Sequence, residues 1–170
     1  MASIDVFDFI DVLSGPDGDP PKKTPINYGD LYENYIVIIP NPLDPKEPGY
    51  FFIDGDGRGS YRFRKGKHKF GHPLGERIPY RIKITILNDK KWKFDDDYGP
   101  IRFVDGSVVE FYGAELSDDN SSVILSVYPN PDEGNWQHSF NLFVMEDVGG
   151  GIKRRRKIDP DVDNPPLGWP

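Results

Sequence analysis

The chain has 18 Gly and 17 Pro among 170 residues, about one residue in five, spread between short apolar runs and not gathered into one low-complexity block. Each proline removes a backbone donor and fixes φ, and each glycine opens turn conformations, so long helices are costly and short strands joined by turns are favoured. The clearest strand is 80–87: Ile82, Ile84 and Ile86 fall on one face, Arg81, Lys83 and Thr85 on the other. Further strands are expected at 35–39, 50–53, 60–64, 91–94, 101–104, 108–116, 122–128, 139–148 and 151–158, and segment 4–13 also reads as a strand although its aspartates recur every third residue. About eight to ten short strands with no amphipathic helix predict an all-β fold, an antiparallel β-sandwich of immunoglobulin-like architecture.

One domain over 1–158 is expected, with proline-rich loops at 14–25 and 40–48 and a C-terminal tail at 159–170. The clearest hairpin joins 50–53 to 60–64 through Asp54-Gly55-Asp56-Gly57-Arg58-Gly59, whose glycines supply positive φ. No cysteine occurs, which excludes disulfides, thiolate metal sites, a thiol nucleophile and the Cys-Trp-Cys signature of true immunoglobulin domains. The N-terminus lacks a basic region and is interrupted by Asp5, Asp8 and Asp11, so it reads as neither a secretory signal nor a membrane span. A soluble, cytoplasmic protein with no membrane partner is expected.

Charge is unevenly distributed. The stretch 57–70 carries Arg58, Arg62, Arg64, Lys65, Lys67 and Lys69 and no acidic residue; subtracting these six charges from the formal net charge of −7 leaves −13 for the remainder. Such a ribbon suits an acidic surface, on its own chain or on a partner, or simply blunts a sheet edge. A second basic run, Lys153 to Lys157, would place Arg154 and Arg156 on the face of Ile152 and Ile158, which an edge strand tolerates and a central one does not. Whether the two runs meet is not legible in the sequence. Nucleic acid would want such a stripe, but the overall acidity of the chain opposes tight binding.

Catalytic and metal chemistry find little to build on. His68, His72 and His138 are the only histidines; Ser126 and Ser139 lie within expected strands; no nucleophile elbow or Walker loop occurs. The segment from Asp54 fails as an EF-hand, with Arg58 at the fifth position and Lys65 at the twelfth, where the bidentate Glu belongs. Asp95-Asp96-Asp97 and the alternating Asp159, Asp161 and Asp163 keep a calcium-assisted carbohydrate-binding module open as an alternative, with no particular ligand set selected. No enzyme, cofactor or metal is expected. Trp92 is in phase with Phe94 and reads as core, whereas Trp136, between Asn135 and Gln137 in a loop, is a candidate contact residue.

The ending Lys157-Ile158-Asp159-Pro160-Asp161-Val162-Asp163-Asn164, after a strand, resembles the Ile-Asp-Pro ending of small bacterial β-sandwich proteins, the group that includes inclusion-body (PixA/AidA-like) proteins and so-called nucleotide synthetases. The resemblance covers about ten residues together with size and strand content. It implies a cytoplasmic bacterial sandwich without established catalysis and with a tendency to self-associate. The expectation is therefore a non-catalytic binding or self-assembly module that meets an acidic protein partner, or a second copy, through Arg58, Arg62, Arg64, Lys65, Lys67 and Lys69, joined by Arg154 and Arg156 if the two runs meet, with Trp136 supplying buried contact.

Overall fold

The computed structural model describes residues 18, 20–21, 30–40, 48–54, 59–62, 67–68, 79–104, 111–127, 137–158 and 161–163. These contain twelve strands and no helix: β1 (Leu31–Ile39), β2 (Gly49–Asp54), β3 (Gly59–Arg62), β4 (Lys67–His68), β5 (Tyr80–Ile86), β6 (Trp92–Phe94), β7 (Ile101–Val104), β8 (Phe111–Leu116), β9 (Ser122–Val127), β10 (Gln137–Gly149), β11 (Ile152–Ile158) and β12 (Asp161–Asp163). No helix among the described residues is long and apolar enough to cross a membrane. The expected strand at 4–13 lies outside the described residues, as does most of both proline-rich loops.

The first sheet runs β3-β2-β1-β5-β9-β8. Its expected hairpin is present, with Tyr50 opposite Arg62 and Ile53 opposite Gly59. The second sheet is built on the thirteen-residue strand β10, which carries β6 and β7 on one side and β11 and β12 on the other. Leu142 faces Ile158 and Ser139 faces Asp161, so β11 and β12 continue one another in a single register along β10. Residues 161–163, assigned from sequence to a tail, thus belong to a strand, and β4 adds to its outer side.

The expectation of a wholly antiparallel arrangement is corrected, because β1 pairs parallel with β5 and β12 parallel with β4. Residue alternation reports which face a side chain takes and carries no sign for strand direction. Parallel neighbours need a crossover. Between β1 and β5 the chain forms β2 and β3, visits the second sheet as β4, and returns. At two and three residues, β4 and β12 are also too short for a periodicity to announce them.

Burial follows the alternation. In β5 the pattern is strictly buried and half-buried in turn, with Ile82, Ile84 and Ile86 inside. Ile84 lies beside Asn34 of β1 and Val123 of β9, and Ile82 beside Leu125, so the inner face of the first sheet is apolar except for the buried Asn34. One buried cluster joins these residues to Phe94, Ile101, Phe103, Phe140, Leu142, Val144 and Ile158 of the second sheet. Trp92 is in that cluster, as its phase with Phe94 predicts. Asn88, just past β5, extends the ladder with its side chain: its Nδ2 donates to Ile38 O at 2.6 Å and its Oδ1 accepts from Ile38 N at 3.1 Å.

Candidate functional site

On β10, Phe94 is opposite Val144 while Ile101 is opposite Leu142, so residues 95–100 stand against Phe143 alone and must leave the ladder. Both ends are stitched to that residue, Asp95 N donating to Phe143 O and Phe143 N to Pro100 O, each at 2.9 Å. Asp95 organises the excursion. Its Oδ1 accepts from the backbone N–H groups of Asp97 (3.0 Å) and Tyr98 (2.9 Å), an Asx-type turn. Its Oδ2 accepts from Arg155 Nε, and the pair is sealed from solvent, with side-chain exposures of 0% for Asp95 and 2% for Arg155.

Arg155 comes from β11, where it is opposite Met145 on the face away from the core, next to Lys157, which is opposite Phe143. The Tyr98 ring covers that face. It meets Phe143 edge-on at 4.8 Å, and the guanidinium carbons of Arg155 and Arg102 each lie 4.5 Å from its centre. Arg102 also donates to Tyr98 O at 2.8 Å. Two cations thus share one π face system, and the buried carboxylate offsets one of them.

A cleft of about 160 Å³ opens beside this loop, with Lys93 and Lys153, Asp96 and Asp97, Asn120 and Met145 in its lining. Both signs of charge line it. Asn120 Nδ2 donates to Asp96 Oδ2 at 3.0 Å and Asn120 O accepts from Phe94 N at 2.8 Å, which ties the β8–β9 turn to β6. In that turn Asp119 Oδ1 accepts from Ser121 Oγ, Ser117 Oγ and Ser121 N, and these bonds hold its pKa at about 2, below the ordinary 3.8. The triple-Asp run considered for calcium is therefore divided: Asp95 is committed to Arg155, and Asp96 and Asp97 are exposed. Among the described residues no group of three or more His, Asp or Glu side chains is arranged to hold a metal.

Of the predicted contact residues, Arg58, Arg64, Lys65, Lys69 and Trp136 lie outside the described residues. Arg62 closes β3 at one end of the first sheet, and Lys67 opens β4 at one end of the second. Lys67 is opposite Asp161 in register, so this two-residue part of the basic ribbon pairs with an acidic strand of its own chain. Because β11 continues into β12 along the same side of β10, the strand of Arg154 and Arg156 and the strand of Lys67 border one edge of the second sheet. Lys67 and Arg154, eighty-seven residues apart in sequence, thus lie along the same side of β10.

Arg154 is exposed and Arg156 half-buried. Arg156 Nη2 lies 3.3 Å from Glu146 Oε1, and Glu146 Oε2 lies 3.4 Å from Lys91 Nζ. Burial lowers the pKa of the Arg156 guanidinium, with Glu146 opposing that effect. Sequence reasoning missed Arg155, which stands between the two arginines it selected. The available signal was parity: with Ile158 in the core, Arg155 must face the other way, and an arginine at mid-strand on that face needs a carboxylate and a cover. Which acidic run provides them is a tertiary fact.

No family model matches the sequence, and no curated protein matches it. Among solved structures, an inclusion body protein (PixA) from Burkholderia cenocepacia is similar, at 10% identity over 80% of this chain and 97% of that one, with a TM-score of 0.37. A likeness of that degree decides neither fold nor function, and it lends no support to the nucleotide-synthetase part of the resemblance.

Proposed function

We propose that this is a non-catalytic binding or self-assembly module, a two-sheet sandwich of immunoglobulin-like architecture that works in the cytoplasm and docks an acidic surface against a basic border. The observation that carries the reading is the alignment of β4 with β11 along one edge of the second sheet. Cations distributed along an edge discourage indiscriminate strand pairing and select partners of opposite charge. The partner is a protein, either a second copy or another chain, and Trp136 is proposed as an aromatic contact. Membranes and nucleic acid are not partners in this reading, since a chain of net charge −7 is repelled by both at long range.

The test is size-exclusion chromatography with light scattering at low and high salt, on the wild type and on Lys67→Glu/Arg154→Glu. A salt-sensitive oligomer that becomes monomeric in the variant supports assembly through the border. A wild type that stays monomeric at every salt and concentration removes self-assembly, and a pull-down with immobilised wild type and charge-reversed protein then decides whether an outside partner uses the same border.

A further inference from the structure

Edge strands differ in what they offer a partner. In the first sheet β3 has four residues, and β8 has six with a bulge at Gly113, whose φ of 79° breaks the ladder. In the second sheet the β6 and β7 side is interrupted by residues 95–100, and β12 is covered by β4. Among the described residues β11 alone combines six residues in unbroken register, Lys153 to Ile158, with a second edge that no described strand pairs. At its turn Val148 and Ile152 are exposed, so the corner also carries apolar surface.

Joining β11 to β11 would set the half-buried Lys153 and the exposed Arg154 of each copy against another basic strand, which like-charge repulsion disfavours. The occupant must be extended, acidic and partly apolar. Within this chain the segment 4–13 has those properties: Asp5, Asp8 and Asp11 stand among seven bulky apolar residues. In an extended strand their spacing of three puts Asp5 and Asp11 on one face and Asp8 on the other. Cations also occupy both faces of β11, with Lys153 on one and Arg154 on the other. The spacer 14–29 holds Pro16, Pro20, Pro21 and Pro25. Fully extended at about 3.1 Å per residue, a spacer of this length would span about 50 Å, against about 40 Å for the diameter of a domain this size, which is long enough for a neighbouring molecule.

We propose that residues 4–13 of a second copy add, as an extra strand, to the edge of β11 that no described strand pairs, each molecule donating one segment and accepting another. This rests on the reading of the basic border as the docking surface and names its occupant. Such a contact is heterologous and need not close, so it builds chains of copies.

The chain has no cysteine, which allows a clean test. Asp8→Cys and Arg154→Cys are prepared as separate proteins, mixed, and treated with a cysteine-specific bismaleimide. The expected product is a crosslinked dimer at least tenfold more abundant in the mixture than with either protein alone. In a chain carrying both substitutions, crosslinking within one molecule at high dilution would place the segment on its own body and overturn the proposal. In parallel, Asp5→Lys/Asp8→Lys/Asp11→Lys and Lys153→Glu/Arg154→Glu are each expected to be monomeric, and mixing the two restores association. An oligomer that survives the triple aspartate substitution but is lost with Lys153→Glu/Arg154→Glu refutes the named occupant and leaves the basic border standing. A wild type that never associates refutes both.

Discussion

Arg155→Met isolates the buried ion pair under the loop at 95–100. The substitution keeps an unbranched side chain of similar reach but leaves Asp95, at 0% exposure, with a buried carboxylate and only its two backbone donors. Removing one member of a buried pair costs about 3–5 kcal/mol, and losing the guanidinium over Tyr98 adds about 1 kcal/mol, which the packing of Met offsets in part. The net expectation is about 4 kcal/mol. At about 2–4 °C per kcal/mol for a chain of this length, the midpoint of thermal unfolding falls by about 10 °C. Urea unfolding followed by Trp92 fluorescence measures the loss directly, with an unchanged denaturant slope. Adding Asp95→Asn keeps the Oδ1 acceptor of the turn and removes the stranded charge, so the double variant recovers to within about 2 kcal/mol of wild type. Because the pair is sealed from solvent, 0.5 M salt leaves the difference between Arg155→Met and wild type unchanged, whereas a surface pair would lose it. A loss below about 1 kcal/mol, or a double variant no more stable than the single, would refute the assignment of this pair as the pin of the loop.

Three further outcomes follow from the same geometry. Asn88→Ala leaves the N–H and C=O of Ile38 without their side-chain partner and should cost about 2 kcal/mol in urea unfolding, while Asn88→Asp, which sets a carboxylate oxygen against the Ile38 carbonyl oxygen, should cost at least as much. Glu146→Gln removes the charge shared by Arg156 and Lys91; the site is half-sealed, so about 1–2 kcal/mol is expected, and no detectable change would show that the two bridges are solvent-screened. The Asp119 carboxyl should titrate in the native protein near 2 by NMR. Its folded pKa is depressed, so its contribution to stability is present above the unfolded value of 3.8 and is lost as pH falls toward 2; Asp119→Asn should flatten that part of the acid limb, and an NMR inflection near 3.8 would contradict the three-donor turn.

The all-β character, the hairpin between β2 and β3 and the inward face of β5 were legible because each depends on neighbours within a few residues. Alternation of Ile82, Ile84 and Ile86 places one face in the core whatever the strand pairs with. Glycine after glycine between Asp54 and Gly59 makes a turn before any tertiary contact exists. The parallel pairing of β1 with β5 was not legible, since it depends on where the chain goes in the intervening forty residues. The strands β4 and β12 are held by partners and not by their own pattern.

The two basic runs were visible as composition, and the placement of Lys67 and Arg154 along one sheet edge was not. Residues 67 and 154 come to one sheet edge because β10 carries β11 and β12 in a single register and β12 carries β4, a sequence of pairings that no local rule encodes. The same holds for Arg155: its charge and its parity are in the sequence, but Asp95, sixty residues away, becomes its partner only when β6 and β11 flank β10 from opposite sides and residues 95–100 fold across the face between them. Local chemistry determined which residues form strands, which turn, and where positive charge accumulates. The tertiary structure decided which charge is sealed inside as an ion pair and which is left on an edge, because burial of an ion depends on what covers it and not on the residues that flank it in the chain.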